Sequence, residues 1–520
     1  MPNKGFTSAN HAGPTLSRRR LLGLSALFLR YSATGIFSMS IPMRIQTQPT
    51  VSYDELYRPQ FHFSPPDHWM NDPNGLIYYE GEYHLFYQHD PHSLDAGPMH
   101  WGHAVSTDLI HWTHLPIALY PDAIGPIWSG SAVNDAHNTS GLVPGGGLIA
   151  VYSYKDQSQG IAASSDKGRT WTKYPQNPVI PVGGKDFRDP KVFWHTETKQ
   201  WVMILAAADR VKLYTSPNLI TWTFASDFGV GQGIHWGTWE CPDLFPMTLD
   251  GQTHWVLTNS MSPGTQYFIG SFDGRIFTNS NPANSKLLFD HGPDNYASVT
   301  WNDTPDGSHL LIGWMDNWKY ARQAPTPTWR GTMTVPRVLT LRQTAAGIRL
   351  IQAPIPQIEQ LRGDGQHWRD QSLTPGQNVL SGVTGRVMDI VAEIEIGSAM
   401  VVGLKVLKDG EQATTIGYDV RSQTLFVDRT NAGVSDFTSG FADVYQSPLS
   451  LEAGSLEAGT LKLRILVDWA SVEVFGADGE VALTVQVFPD PTSDQLEAFA
   501  FGGEARLRTL DVYPLKRIWS

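Results

Sequence analysis

Cysteine is nearly absent from this chain, since Cys241 is the only one among 520 residues. A lone cysteine excludes an intrachain disulfide and a metal site built from several cysteines, so the fold has to be stabilised by burial. Charged residues are also scarce, at 17 %, and 38 lysines and arginines against 50 aspartates and glutamates give a net charge of −12. This negative charge repels phosphate backbones, so nucleic acid is not an expected partner.

Long apolar stretches are absent as well. No segment approaches the roughly 18 apolar residues of a membrane span, so we expect no membrane contact of the mature protein. What the chain has instead is 48 glycines, 35 prolines and 11 % aromatic residues, which is not the composition of a disordered chain or a coiled coil. At about 100 to 200 residues per domain, this length predicts two domains, or one large domain with an accessory.

The N-terminus carries the single targeting motif that we identify. Ser17-Arg18-Arg19-Arg20 precedes a short apolar run that begins at Leu21 and stops before Arg30. This order resembles a twin-arginine export signal, whereas the alternative is a disordered basic extension. We therefore expect residues 1–50 to be an export signal with a disordered segment, and the protein to be secreted by the twin-arginine route.

Four segments repeat one pattern, in which a serine and a polar turn precede an aromatic residue next to threonine. They span residues 106–113, 165–172, 216–223 and 271–278, and their aromatic residues are Trp112, Trp171, Trp222 and Phe277. Each copy predicts a β-hairpin. The aromatic residues are 59, 51 and 55 positions apart, which is the size of a propeller blade, although so short a pattern also recurs by chance.

The predicted fold class is all-β, with a five-bladed β-propeller followed by a C-terminal β-sandwich. Residues 51–351 have room for five blades of the repeat length. Residues 352–371 begin with Gln352-Ala353-Pro354-Ile355-Pro356 and continue as a polar segment, which predicts a linker. Residues 372–520 alternate as short strands with turns, and this pattern predicts the sandwich.

Two motifs hold an aspartate directly before proline. Asp72 precedes Pro73 in the segment Trp69-Met70-Asn71-Asp72-Pro73-Asn74-Gly75, and Asp189 lies in Phe187-Arg188-Asp189-Pro190. Proline disfavours the helical conformation of the residue before it, so both carboxylates are predicted to be fixed on extended or turn backbone. The cation of Arg188 is expected to keep Asp189 ionised.

The third motif is Trp239-Glu240-Cys241-Pro242-Asp243, in which an aromatic neighbour is expected to desolvate Glu240 as a general acid requires. Singly, the three motifs also fit a solvated turn, an ion pair and a structural glutamate. Asp72 and Asp189 are 117 positions apart, and Asp189 and Glu240 are 51 apart. These separations match two blades and one blade, so the three carboxylates are predicted to converge on the central channel.

Together the motifs resemble those of glycoside hydrolase family 32, the β-fructofuranosidases. The first reads His62-x2-Pro65-x4-Met70-Asn71-Asp72-Pro73-Asn74-Gly75, and Arg-Asp-Pro at Asp189 and Glu-Cys at Glu240 follow in the family's order. Further matching segments are Phe86-Tyr87-Gln88, Trp101-Gly102-His103, Ser129-Gly130-Ser131 and Gly313-Trp314-Met315-Asp316-Asn317-Trp318. The resemblance runs from about Phe61 to the C-terminus and implies the same propeller and sandwich.

The resemblance implies a role for each matching residue. Asp72 corresponds to the nucleophile, Glu240 to the acid/base, and Asp189 to the residue that stabilises the oxocarbenium-like transition state. Sugar contacts are expected from a further set: Asn71, Gln88, Trp101, Trp128, Ser129, Arg188 and Trp318. The expected substrate is a fructan polysaccharide or oligosaccharide, and neither a metal nor a cofactor is implied.

One departure from the family pattern concerns specificity. Ala96 stands where chain-end hydrolases of the family usually carry tryptophan, and Trp128 replaces the usual phenylalanine before Ser129. The smaller Ala96 side chain is expected to open the pocket beside the reactive sugar. Three functions therefore remain open: hydrolysis of levan, inulin or sucrose; intramolecular fructosyl transfer that releases a cyclic difructose anhydride; and fructan binding without catalysis.

Overall fold

The computed structural model describes residues 52–262, 264–451 and 459–519. These residues form 32 β-strands in seven sheets, with two short 3-10 helices. The export signal predicted within residues 1–50 lies outside the described residues. In the part of the chain that the structure describes, no helix is both long and apolar enough to cross a membrane.

Five of the sheets come first in the chain, and the four main strands of each pair antiparallel in sequence order. The first two sheets consist of β1 (His68–Tyr79), β2 (Glu82–Asp90), β3 (His100–Ser106), β4 (Thr113–Leu119), β5 (Ile127–Asn134), β6 (Leu148–Tyr154), β7 (Gln159–Ser164) and β8 (Thr172–Lys173). The next two consist of β9 (Phe187–His195), β10 (Gln200–Ala207), β11 (Val211–Ser216), β12 (Thr223–Phe228), β13 (Glu240–Leu249), β14 (Gln252–Met261), β15 (Gly264–Phe272) and β16 (Phe277–Asn279).

The fifth sheet consists of β17 (Tyr296–Thr300), β18 (His309–Trp314), β20 (Arg337–Thr344) and β21 (Gly347–Pro354). Between β18 and β20 lie the 3-10 helix Ala321–Gln323 and β19 (Trp329–Arg330), which pairs in parallel with β1. The first strand of each sheet contacts the first strand of the next, and β17 closes the ring against β1. The sheets are thus the five blades of a propeller around a central channel, which confirms the predicted fold class.

The repeated sequence pattern marks the outer edge of the first four blades. Its copies connect β3 to β4, β7 to β8, β11 to β12 and β15 to β16, and each pair is antiparallel. The predicted hairpins are confirmed. The third strands are rich in apolar residues that pack between blades, whereas the short fourth strands are largely exposed.

The C-terminal strands form two packed sheets. The six-stranded sheet consists of β22 (Gln366–Leu373), β23 (Met388–Glu395), β28 (Thr460–Asp468), β29 (Ser471–Gly476), β30 (Val481–Gln486) and β32 (Ala505–Pro514). The five-stranded sheet consists of β24 (Val401–Asp409), β25 (Gln412–Asp419), β26 (Thr424–Asp428), β27 (Val444–Pro448) and β31 (Gln495–Phe501). Leu463, Ile465 and Val467 lie in the apolar cluster between the sheets.

Residues 352–371, predicted as a linker, contain the end of β21, the 3-10 helix Pro356–Leu361 and the start of β22. The sandwich therefore begins at Gln366, within that range. β22 is an edge strand whose side chains are mostly exposed. Its polar sequence is typical of such an edge and is easily mistaken for a linker.

A buried ionic network joins the propeller to the sandwich. Arg337 of the fifth blade contacts Glu473 of β29 at 2.5 Å and Asp290 at 3.0 Å, and all three side chains are buried. His62 lies between Asp468 (2.8 Å) and Glu473 (2.9 Å). Although burial lowers the pKa of His62, its bonds to these two carboxylates raise it overall to about 9, so the ring contributes a second buried cation.

Candidate active site

The first strand of every blade loses its regular register, and in the first four blades the shift lies at a predicted site residue. The shifts lie at residues 70–73 of β1, 127–130 of β5, 188–191 of β9, 240–243 of β13 and 296–299 of β17. A bulge bends its strand and turns a side chain out of the normal alternation. The irregularities allow neighbouring blades to direct polar side chains into one shared cavity.

Asp72 lies within the irregular part of β1 and is 9 % exposed. Its Oδ1 accepts a hydrogen bond from the Asn71 amide at 2.9 Å, and its Oδ2 accepts one from the Ser129 hydroxyl at 2.6 Å. Burial raises the pKa of Asp72, the bonds from Ser129 and Asn71 lower it, and the nearby charge of Glu240 raises it again. The net direction is upward.

Asp189 has a φ of 63°, in the left-handed region that is strained for a residue with a Cβ atom. Its backbone N–H donates to Ser153 Oγ at 2.9 Å, and its Oδ2 accepts the backbone N–H of Cys241 at 3.0 Å. Burial raises the pKa of Asp189 to about 7, although the charge of Arg188 lowers it. The guanidinium of Arg188, 3.8 Å away, favours the ionised form of Asp189 as expected, and burial opposes it with the larger effect.

Glu240 lines the same cavity as these two aspartates. Its Oε1 accepts a hydrogen bond from Arg188 Nη2 at 2.6 Å, and its Oε2 accepts one from the Tyr296 hydroxyl. The side chain is 23 % exposed. The expected desolvating neighbour, Trp239, packs instead against Phe268 in the interior of the fourth blade. A cation and a phenol, not an indole, therefore surround the Glu240 carboxylate.

The lone cysteine lies between the two aspartates. Cys241 Sγ is 3.5 Å from Asp72 Oδ2 and 3.7 Å from Asp189 Oδ2. Burial and the neighbouring carboxylates raise the pKa of this thiol well above its ordinary value. Cys241 is consequently an uncharged thiol whose single, weak S–H donor has both carboxylates within range.

A cavity of about 410 Å³ joins these groups to the surface. Nine of the ten predicted site residues line it: Asn71, Asp72, Gln88, Trp128, Ser129, Arg188, Asp189, Glu240 and Trp318. Ala96 lies in the same wall and packs in one apolar cluster with Trp128 and Trp318. The cavity therefore combines acidic groups with apolar side chains, which suits a sugar ring with hydroxyl groups and C–H faces.

Trp101 is the predicted site residue that does not line the cavity. Its side chain is fully buried, and its indole N–H donates to the backbone carbonyl of Trp128 at 3.0 Å. The pairing of β3 with β4 shifts register between Trp101 and His103. Trp101 consequently supports the cavity wall from behind.

Several groups around the cavity were missed from sequence. Tyr296 contacts Glu240, and the side chains of Lys155, Gln157 and Arg322 line the cavity beside the predicted set. Tyr296 begins β17, directly after Asp294-Asn295, and only the regular blade spacing could have suggested that a fifth inner strand also contributes. Lys155 and Gln157 lie on a loop and Arg322 lies in the short 3-10 helix Ala321–Gln323, where the sequence carries no spacing signal.

Comparisons with known proteins agree with this geometry. The model of the glycosyl hydrolases family 32 N-terminal domain matches residues 62–354, and that of the family 32 C-terminal domain matches residues 357–514. A levanase of Bacillus subtilis (strain 168) is 49 % identical, over 90 % of this chain and 72 % of the levanase. An extracellular exo-inulinase of Aspergillus awamori is 37 % identical, over 93 % of this chain and 99 % of the inulinase.

A crystal structure of exo-inulinase from Aspergillus awamori superposes with a TM-score of 0.83 and 36 % identity, covering 90 % of this chain and all of that one. The family models together span most of the chain, and they divide it close to the junction of the propeller and the sandwich. The resemblance read from the motifs is confirmed: the chain belongs to glycoside hydrolase family 32 and is a glycoside hydrolase.

Proposed function

We propose that this protein is a secreted fructan hydrolase that cleaves β-fructofuranosyl linkages of levan or inulin, and that it retains the anomeric configuration. The observation that carries the proposal is the convergence of Asp72, Asp189 and Glu240 on one cavity. The similarity to a levanase and to an extracellular exo-inulinase supports both the substrate class and export. The arginines that precede the apolar run at Leu21 support the twin-arginine route.

In the first step Glu240 donates a proton to the leaving oxygen while Asp72 attacks the anomeric carbon. The C–O bond to the leaving group breaks, and a bond forms between that carbon and an Asp72 carboxylate oxygen. The charge of Glu240 raises the pKa of Asp72. A proton on Glu240 therefore favours the ionised Asp72 that the attack requires.

In the second step Glu240, now a carboxylate, accepts a proton from water, and the water oxygen replaces Asp72 on the anomeric carbon. Asp189 hydrogen-bonds the hydroxyl groups of the fructosyl ring and stabilises the positive charge that develops in each transition state. Arg188 donates a hydrogen bond to Glu240 and lies near Asp189. It therefore separates these two acidic groups and fixes their orientation.

The remaining polar groups of the cavity suit a sugar. Within the described part of the chain, the buried side-chain nitrogen of Gln88 has no hydrogen-bond partner. A buried amide without a partner is costly, and a ring hydroxyl would satisfy it. The apolar faces of Trp128 and Trp318 complement the C–H faces of a sugar ring.

One observation favours intramolecular transfer as the second candidate. Ala96 leaves the cavity wall without a large side chain at this position. If two fructosyl units fit, the intermediate is a difructosyl-enzyme. A hydroxyl of its terminal unit then attacks the anomeric carbon bound to Asp72 in place of water, the bond to Asp72 breaks, and a cyclic difructose anhydride leaves. The names of the similar proteins favour water as the acceptor.

Product analysis tests the proposal. The purified protein is incubated with levan, inulin and sucrose, and the products are separated by chromatography. Free fructose supports hydrolysis, whereas a non-reducing cyclic disaccharide establishes transfer and overturns the first candidate. If none of the three substrates yields a product, and the Asp72→Asn variant is equally inactive, fructan binding without catalysis is the function that remains.

A further inference from the structure

Arg429 lies in the sandwich, immediately after β26, and its side chain is fully buried. A guanidinium has five N–H donors, and the structure gives Arg429 five hydrogen bonds. Their acceptors are the carbonyls of Phe441 (2.8 Å) and Gln486 (2.9 Å), the Asp294 carboxylate (2.9 Å), and the hydroxyls of Tyr320 and Tyr445 (3.1 Å each). Two of these partners, Asp294 and Tyr320, belong to the propeller.

Both propeller partners lie two residues from a side chain of the active site. Asp294 precedes Tyr296, whose hydroxyl donates to Glu240, and Tyr320 follows Trp318, which lines the cavity. The Tyr320 hydroxyl also donates to Asp294. Arg429 thus joins the ends of two loops that reach the active site from the same blade.

Further contacts join these two loops to each other and to the sandwich. The Asn317 amide donates to the Pro293 carbonyl at 2.8 Å. From β30, the Gln486 backbone N–H donates to Asp294 at 2.7 Å, and its side-chain amide donates to the Met315 carbonyl at 2.8 Å. Both loops are therefore held by polar groups of the sandwich, with Arg429 as the charged centre.

We propose that Arg429 is a positioning residue for the catalytic acid/base: the sandwich, through Arg429, Asp294 and Tyr320, holds Tyr296 against Glu240 and Trp318 in the cavity wall. This inference rests on the proposed function of Glu240. It gives the sandwich a role in catalysis in addition to its contribution to stability.

The variant Arg429→Lys keeps the charge beside Asp294 but has three donors on one nitrogen, so it cannot reproduce the five hydrogen bonds of the guanidinium. Displacement of Tyr296 removes a hydrogen-bond donor from the Glu240 carboxylate. We expect kcat on levan to fall about tenfold, near the lower limit of the effect of one lost hydrogen bond to a charged group. In the pH profile of kcat, the loss of activity at high pH (the alkaline limb) should move to higher pH.

Tyr320→Phe tests the same connection without changing any charge, so the inference stays testable if Arg429→Lys does not fold. The decisive measurement uses protein that already carries Tyr296→Phe. Adding Arg429→Lys or Tyr320→Phe to this variant should cause no further shift of the alkaline limb. Arg362→Lys is the matched control, because Arg362 is paired with the buried Asp389 at 2.7 Å and its segment contributes no cavity residue. It should lower Tm and leave the pH profile unchanged.

An unchanged pH profile in both Arg429→Lys and Tyr320→Phe would overturn the inference. An equal shift in the control Arg362→Lys would overturn it as well. So would a full additional shift when either substitution is added to Tyr296→Phe. The proposed function fails differently. In that case wild-type protein yields no fructose from levan, or Glu240→Gln retains wild-type kcat.

Discussion

The hydrogen bond from Ser129 to Asp72 offers a quantitative test of the nucleophile. Asp72 accepts side-chain hydrogen bonds from the Ser129 hydroxyl and the Asn71 amide, and the bond from Ser129 is the shorter, at 2.6 Å. This bond lowers the pKa of Asp72, whereas burial raises it. The substitution Ser129→Ala removes this donor and little volume. We therefore expect the ionised form of Asp72 to become less stable.

The magnitude follows from the kind of bond. A hydrogen bond to a charged group contributes about 1.5 to 3 kcal/mol, which corresponds to a roughly 10- to 150-fold loss of kcat/KM if it acts fully on the attacking carboxylate. Asn71 and Cys241 still donate to Asp72, so the lower part of this range is expected. The acidic limb should move to higher pH by about one unit, because one pKa unit corresponds to about 1.4 kcal/mol.

The assay is the dependence of kcat/KM on pH with levan as substrate. Activity is lost as the pH falls through the pKa of Asp72, since attack requires the carboxylate, and a raised pKa makes this loss begin at higher pH. Ser106→Ala serves as the control, because Ser106 is also buried but its hydroxyl contacts the turn at Asp108 and Leu109. A rise in KM with an unmoved acidic limb would refute the reasoning and make Ser129 a contact for substrate alone.

Three further predictions concern other parts of the molecule. Asp72→Asn and Asp189→Asn should each lower kcat by at least about a thousandfold with little change in Tm; near-normal turnover in either contradicts its assignment. Ala96→Trp should lower kcat/KM for levan more than for sucrose, because the indole occupies space that only the longer substrate needs; equal losses remove Ala96 from the specificity argument. The free energy of unfolding, measured with denaturant, should decrease as pH rises from about 6.5 to about 9, because His62 is stabilised as a cation only in the folded state. His62→Gln should abolish this slope, and an unchanged slope excludes His62 as its source.

The fold and the three carboxylates could be predicted because their signals are local or periodic. Proline after Asp72 and Asp189 restricts each aspartate within one dipeptide. The blade period can be measured directly along the chain, and it places Asp72, Asp189 and Glu240 in equivalent positions. Neither inference requires knowledge of long-range packing.

Trp101 illustrates what the sequence does not contain. It lies in a segment that matches the family pattern, yet its side chain is buried behind the cavity wall. A strand exchanges its two faces when the register moves by one residue, and β3 shifts register at Trp101. The bulge depends on the pairing partner, so the direction of this side chain cannot be read from β3 alone.

Electrostatics around the site were also beyond the sequence. Arg188 is adjacent to Asp189 in the chain, but its shorter contacts are with Asp186 at 2.9 Å and Glu240 at 2.6 Å. Tyr296 reaches Glu240 from a different blade. The closure of the propeller decides which carboxylate each cation or hydroxyl contacts. Burial then raises the pKa of Asp189 to about 7.

The most direct test of the account is to trap the fructosyl-enzyme. Glu240→Ala lacks the base for the second step, and a fructosyl fluoride needs little acid assistance in the first, so the intermediate should accumulate. After an acid quench and digestion, mass spectrometry should find one fructosyl unit on the peptide that contains Asp72, and none in the Asp72→Asn/Glu240→Ala double variant. A fructosyl unit on the peptide of Asp189, or turnover of the fluoride without any adduct, would contradict the assignment of Asp72 as the nucleophile.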